Sequence, residues 1–304
     1  MAAKIHPRRA LRLAALAPLT LLAGCDWALV APQGMIGMEN RSTILWATLL
    51  MLIVVVPVIG MTLGFAWRYR ANNLAADYAP EWSHSNAIEV VIWTIPALIV
   101  AALAWIAYDT THRLDPFRPI ASAAKPVEVQ VVSLDWKWLF IYPEYGVASV
   151  NELAMPVGRP VNFSITSASV MNSFFIPRLG SQIYSMAGMQ TKLHLLADKP
   201  GTYEGISANF SGDGFADMRF AAKAMDQKGF DAWIAAARKA PGALDLASYH
   251  ALEKPSENLP VRQYGSVSPN LFNGILMAGM NPVREQRTVV PNDAAHTPGH
   301  AHQD

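Results

Sequence analysis

Soft-metal chemistry runs on thiolates, and one stretch of this chain has the spacing for it without the thiolates. In Gly205–Met218, G-I-S-A-N-F-S-G-D-G-F-A-D-M, Ser207 and Ser211 stand four residues apart, Phe215 four beyond, and Met218 closes the loop. A loop holding two copper ions through bridging sulfur would carry cysteines at the first two positions and a histidine at the third. Only Met218 keeps a soft donor. The chain's one cysteine, Cys25, lies far upstream, which excludes a cysteine-bridged copper centre and an internal disulfide.

Other residues that could do chemistry are few. Glu89 opens a long apolar run; a carboxylate at a membrane edge is costly enough to suggest a function, although a helix N-terminus also favours one by its dipole. Trp136 and Trp138 flank Lys137 and would share one face of a strand, which fits core or subunit-contact packing. Met186, Met189 and Met218, with no paired histidine or cysteine, read as apolar filling. His194 alternates with Leu193 and Leu195 and is expected to face outward. His296, His300 and His302 lie in a solvated tail.

These residues must be positioned by a chain of 304 residues that is 52% hydrophobic and 15% charged, against about a quarter charged in soluble domains. Membrane segments are therefore expected. A net charge of +1 and the absence of a Lys/Arg-rich run exclude a nucleic-acid binder. Lys4, Arg8, Arg9 and Arg12 form a basic start, Leu13–Leu22 an apolar run, and L-A-G-C a small-residue cleavage site before Cys25. The pattern resembles a bacterial lipobox. That implies removal of residues 1–24, and diacylglyceryl and N-acyl lipid on Cys25. Asp26 resembles the signal that keeps a lipoprotein in the inner membrane.

An external segment, 25–41, leads into the uncharged run Ser42–Trp67, roughly 39 Å long as a helix and more than the ~30 Å hydrocarbon core. A second span covers 89–109, with Val90–Tyr108 uncharged. Pro57 and Pro96 are expected to interrupt these helices, as membrane spans tolerate. Trp46, Trp67, Trp93, Trp105 and Tyr108 suit the interfaces. The loop 68–88 carries Arg68 and Arg70 and reads as cytoplasmic. The lipobox fixes that orientation, since Cys25 must be outside, and two spans return the rest of the chain to the outer face.

After a linker, 110–124, the period changes to two. Val127, Val129 and Val131 alternate with Glu128 and Gln130; Val161, Phe163 and Ile165 alternate with polar neighbours; Gly and Pro punctuate. Segment 125–224 thus reads as an all-β sandwich or barrel. Within the extension 225–290, Lys228–Lys239 and Leu244–Glu253 read as short helices, and 291–304 as a disordered tail.

A signal-processed two-helix transmembrane hairpin carrying an external β-domain resembles subunit II of the haem-copper respiratory oxidases. I-E-V-V-I-W-T-I-P (Ile88–Pro96), D-W-K-W (Asp135–Trp138), S-A-S-V-M-N-S-F-F-I-P (Ser167–Pro177) and the loop described first carry the resemblance. It implies a cupredoxin-like Greek-key β-domain. In the family's copper branch a histidine would stand at Asn172 and a carbonyl-donating glutamate at Asn209. Asn172, Ser207, Ser211 and Phe215 are thus replaced together within a retained scaffold. That looks like the quinol-oxidising branch, with N-S-F-F-I-P-R-L-G-S-Q-I-Y (Asn172–Tyr184) resembling the second subunit of cytochrome bo-type ubiquinol oxidases.

The resemblance implies a noncatalytic subunit of a proton-pumping terminal oxidase. It also implies no cofactor in this chain itself. Haems, copper and quinol are expected in the catalytic subunit I, beside other small membrane subunits and lipid, with the β-domain in the periplasm. Glu89 resembles the start of a proton pathway into that partner. Lys/Arg and Asp/Glu balance from Arg113 onward, whereas docking basic cytochrome c would favour an acidic excess. The alternatives are a membrane-tethered lipoprotein binding module, or an oxidase subunit fed by menaquinol or cytochrome c.

Overall fold

Two helices without a buried hydrophobic stripe open the structure, a computed structural model that describes residues 28–77 and 79–280. Cys25, the segment before it and the whole tail 291–304, with His296, His300 and His302, lie outside the described residues. Helix α1 spans Met35–Arg68 and α2 spans Asn86–Arg113. Both are long and apolar enough to cross a membrane, and none of the side chains in their most apolar stretches is buried. Leu, Ile, Val and Trp exposed all round a helix suit a lipid solvent, where outward apolar groups cost nothing.

The helices depart from the sequence expectation in two ways. They run unbroken through Pro57 and Pro96. Each also exceeds its uncharged run, because α1 starts inside the expected external segment and α2 continues to Arg113. Arg113 reaches back to Asp109 (2.9 Å) and across to Glu39 of α1 (3.6 Å), joining the two helices at one end.

The extra turn of α1 is a docking post. Its Gly37 N–H donates to the Leu179 carbonyl (3.0 Å), the Gln33 N–H to Arg178 (2.7 Å), and Asp198 returns a bond to Gln33 (2.9 Å). Asn40 Nδ2 adds a bond to Ser181 Oγ (3.1 Å). A Cβ on Gly34 would fall 2.4 Å from the Leu196 carbonyl oxygen, so only glycine permits this approach.

The β-domain packs two sheets face to face. One takes β1 (Val127–Leu134), β2 (Lys137–Tyr142), β3 (Val147–Val150), β5 (Val161–Ser167) and β8 (Thr191–Leu195). The other takes β4 (Glu152–Pro156), β6 (Asn172–Phe175), β7 (Ile183–Ser185), β9 (Gly201–Ser207) and β10 (Arg219–Met225). Their facing sides bury Val127, Val129, Val131, Phe140, Phe163, Ile165 and Phe220 in one core, which matches the period-two reading of the strands.

The extension is more than helices. Besides α3 (Gln227–Arg238), α4 (Leu246–Glu253) and α5 (Leu271–Met280), it supplies the short β11 (Ala243–Leu244) and β12 (Arg262–Tyr264), of which β12 pairs with β3 as an edge strand of the first sheet. It also covers that sheet's outer side. Val132, Leu134, Leu139, Ile141 and Val150 form a second core with Leu244, Tyr249, Leu252, Phe272 and Ile275. At about 1.5–3 kcal/mol per fully buried aliphatic or aromatic side chain, this cover is a large share of domain stability. Uninterrupted runs such as W-L-F-I-Y, apolar on both faces of β2, require it.

Candidate functional site: a thiolate-free loop held by its backbone

Of the four replaced positions, the structure brings Asn172 and Ser207 into contact, while Ser211 meets Met218 and Phe215 meets Phe210. Asn172 begins β6, Ser207 ends β9, and Ser211 and Phe215 follow on the loop closed by Met218. Ser207 Oγ donates to Asn172 Oδ1 at 3.1 Å and lies 3.3 Å from the Asn209 carbonyl. Asn172 Nδ2 donates to the Val170 carbonyl (3.2 Å), and Asn209 Nδ2 to that of Met171 (3.1 Å). Ser211 Oγ stands 4.0 Å from the Met218 sulfur, and Phe215 meets Phe210 edge-on with centroids 5.5 Å apart. Asn172, Ser207 and Met218 are buried.

The loop is clamped independently of those side chains. Ser207 N–H donates to the Met218 carbonyl (3.1 Å), and Ala208 N–H to Ser173 (2.9 Å). Trp136 Nε1 donates to the Ser211 carbonyl at 3.0 Å. A Cβ on Gly214 would lie 2.6 Å from the Trp136 ring. Trp136 itself differs from expectation. It precedes β2 with φ of 61°, a left-handed conformation that is an outlier for a bulky residue and costs of order 1–3 kcal/mol. Its ring lies over the loop glycines while Trp138 sits in the core, where Phe174 and Phe220 stack 5.2 Å apart.

This donor set does not fit copper. Two hydroxyls, a neutral amide and a phenyl ring offer no thiolate and no imidazole, and Met218 alone is a weak neutral ligand. Among the described residues no group of three His, Cys, Asp or Glu side chains converges as a metal site.

The family model described as "Cytochrome C oxidase subunit II, periplasmic domain" matches residues 144–225, and "COX Aromatic Rich Motif" matches 238–282. The cytochrome bo(3) ubiquinol oxidase subunit 2 of Pseudomonas aeruginosa is 59% identical over 273 residues, covering 90% of this chain and 82% of that protein. The chain belongs to the ubiquinol oxidase subunit 2 family. The ubiquinol oxidase subunit 2 of Acetobacter aceti is 53% identical over 270 residues, 88% of each chain. The quinol oxidase subunit 2 of Bacillus cereus is 39% identical over 250 residues, 80% of this chain and 86% of its own.

Elsewhere on this subunit 2 chain the structure adds partners that spacing did not reveal. Glu89 sits in the first turn of α2, half exposed, with His84 Nε2 at 3.4 Å from its carboxylate. His194 is a correction. It points away from the sandwich core as expected, yet it is 8% exposed, because the linker around Phe117 covers that face of β8. Burial is the main influence on its ring and lowers its pKa.

Two charged residues are buried where the extension joins the sandwich. Lys137, fully buried, donates through Nζ to the carbonyls of Asp135 (3.0 Å) and Lys254 (2.8 Å) and to Ser256 Oγ (2.8 Å); burial lowers its pKa. Glu152 accepts from Trp233 Nε1 of α3 (2.8 Å), Gln263 Nε2 of β12 (3.3 Å) and Lys223 (2.5 Å). Burial pushes its carboxyl up, and these donors together more than offset that and hold it below the ordinary range.

Proposed function

We propose that this chain is the noncatalytic second subunit of a proton-pumping terminal ubiquinol oxidase. In this reading it carries no redox centre and supports a haem-copper subunit I that holds the haems, copper and quinol, alongside other small membrane subunits. The observation that carries it is the hydrogen-bonded, thiolate-free set Asn172–Ser207–Asn209, at positions where the resemblance places ligands in the family's copper branch. A one-electron donor arriving from water needs a surface relay such as a copper centre. Quinol dissolves in the bilayer and can deliver electrons there, so the relay is dispensable. Support for ubiquinol as donor comes from relatives named for that activity.

The hairpin would lie in the bacterial inner membrane and pack against subunit I, with the β-domain on the periplasmic side. Cys25 would carry the diacylglyceryl and N-acyl lipid. Glu89, paired with His84 at the opposite end of the hairpin from the β-domain, would open a proton pathway into the partner.

The test is oxygen uptake by the purified native complex given ubiquinol, menaquinol or reduced cytochrome c in separate cells. Uptake with ubiquinol and none with cytochrome c is expected. Uptake with cytochrome c would refute the lost-relay argument, and uptake with menaquinol alone would change the donor. The absence of copurifying haem would favour a tethered lipoprotein module.

A further inference from the structure

Where the extension roofs the first sheet, a cavity of about 340 Å³ lies between α4, the loop that follows it and β12. Lys254 and Ser256 of the loop and Arg262 and Tyr264 of β12 give it a polar wall, and Leu252 and Leu259 an apolar one. The strand's alternation sorts these side chains. Gln263 turns to Glu152, while Arg262 and Tyr264 on either side of it turn to the cavity. No acidic side chain among the described residues lines it.

The cavity's charge is one-sided. Lys254 and Arg262 are exposed, and neither side chain has an ion-pair or hydrogen-bond partner among the described residues. A third cation stands behind the wall. Lys137 is fully buried, and its Nζ reaches Ser256 Oγ at 2.8 Å. Its other two bonds go to backbone carbonyls, and Asp135 acts on it only through space while its carboxylate accepts from Ser169 Oγ. A buried ammonium bonded to neutral groups alone lacks a counter-charge, and that costs free energy. Ser256 passes the demand outward. An ammonium only donates, so Ser256 Oγ accepts from Lys137 and keeps its own O–H to give. That O–H has no acceptor among the described residues.

We propose that this cavity binds a phosphate monoester, with its dianion on Arg262, Lys254 and the Ser256 hydroxyl and its apolar body on Leu252 and Leu259. A dianion matches the two unpaired cations at the rim and gives Lys137 a counter-charge across Ser256. Its three terminal oxygens accept donors arriving from separate elements, whereas a carboxylate offers one charge in one plane. A soluble molecule and a lipid headgroup can both present that group. The site lies in the extension, apart from the loop of Asn172 and Ser207, and does not depend on the oxidase reading.

The test is a calorimetric titration of the full-length protein, purified in detergent with whatever subunits accompany it. The probes are phenyl phosphate, dihexanoyl phosphatidic acid, inorganic phosphate and benzoate. Expected is saturable binding of a monoester roughly tenfold or more tighter than benzoate, and the tighter of the two monoesters names the source. Arg262→Gln should weaken it about tenfold, as loss of a charge-assisted contact does, while Arg262→Lys retains most of it. Saturating monoester should also slow hydrogen exchange around Lys254–Ser256. Because the Arg262 side chain is exposed and unpartnered, its replacement leaves the fold intact, which the thermal midpoint without ligand checks. No saturable binding of either monoester, or Arg262→Gln binding like the natural protein, overturns the site. Benzoate binding as tightly as phenyl phosphate overturns the dianion, and inorganic phosphate binding as tightly overturns the apolar body. A glutamate-rich peptide that displaces phenyl phosphate at lower concentration would give the cavity to a protein partner and overturn the small phosphate.

Discussion

Around Asn172 and Ser207 the sandwich is joined by neutral hydrogen bonds between small side chains, whereas around Glu152 and Lys137 it is joined by charges removed from water. In the first region the loop's course is held by backbone bonds and by the Trp136 clamp, so side chains there can change without unfolding the domain. In the second, Lys137 and Glu152 each satisfy partners on segments more than a hundred residues away, and removing either strands buried polar groups. Side chains on a loop that its own backbone holds can be exchanged as a set. Residues that fasten the extension cannot, because an unpaired buried charge costs several kcal/mol.

The most drastic way to probe that contrast is to refill the loop. Asn172→His, Ser207→Cys, Ser211→Cys and Phe215→His combined with Asn209→Glu should convert a protein without copper into one that takes it up, seen by metal analysis and intense visible thiolate-to-copper absorption. A folded variant that stays colourless would mean the loop geometry is no longer that of a copper site. Next, Glu152→Ala should destabilise by roughly 2–3 kcal/mol, since it leaves Trp233 Nε1 and Gln263 Nε2 without their acceptor; thermal unfolding checks this.

The same carboxylate predicts a pH dependence. Its folded-state pKa is depressed from an ordinary value near 4.5, so its contribution is full above that value and is lost as pH falls through the folded pKa. Thermal midpoints between pH 3 and pH 7 should fall more steeply toward acid for the natural protein than for Glu152→Gln. Lys137→Met should cost about 1–3 kcal/mol, and hydrogen exchange should rise first in the segment around Lys254–Ser256. Smallest of all, Ser211→Ala should shift stability by less than about 0.5 kcal/mol, because its side chain offers only a weak contact to Met218. A large loss there would erase the distinction between the two regions.

Much of the candidate site was legible in order along the chain. The four-residue spacing of Ser207, Ser211 and Phe215 is local, and a β-strand leading into a loop keeps such spacing in space. Asn172 joins them through the β6–β9 pairing, in which Phe174 faces Ser207 and Phe175 faces Ile206, and only the resemblance to a known family anticipated it. The left-handed Trp136 was not legible, since nothing in D-W-K-W says where the strand begins.

The sequence by itself determined the two apolar helices, the alternating strands and the absence of thiolate from the loop, because each follows from residue type and period over a short window. Only the tertiary structure decided that the extension roofs the first sheet, that Lys137 and Glu152 are buried, that His194 is covered and that Lys254 and Arg262 border one cavity. Those outcomes depend on which surfaces meet across long separations. A strand's two faces carry the same period whether water or another element lies on the far side.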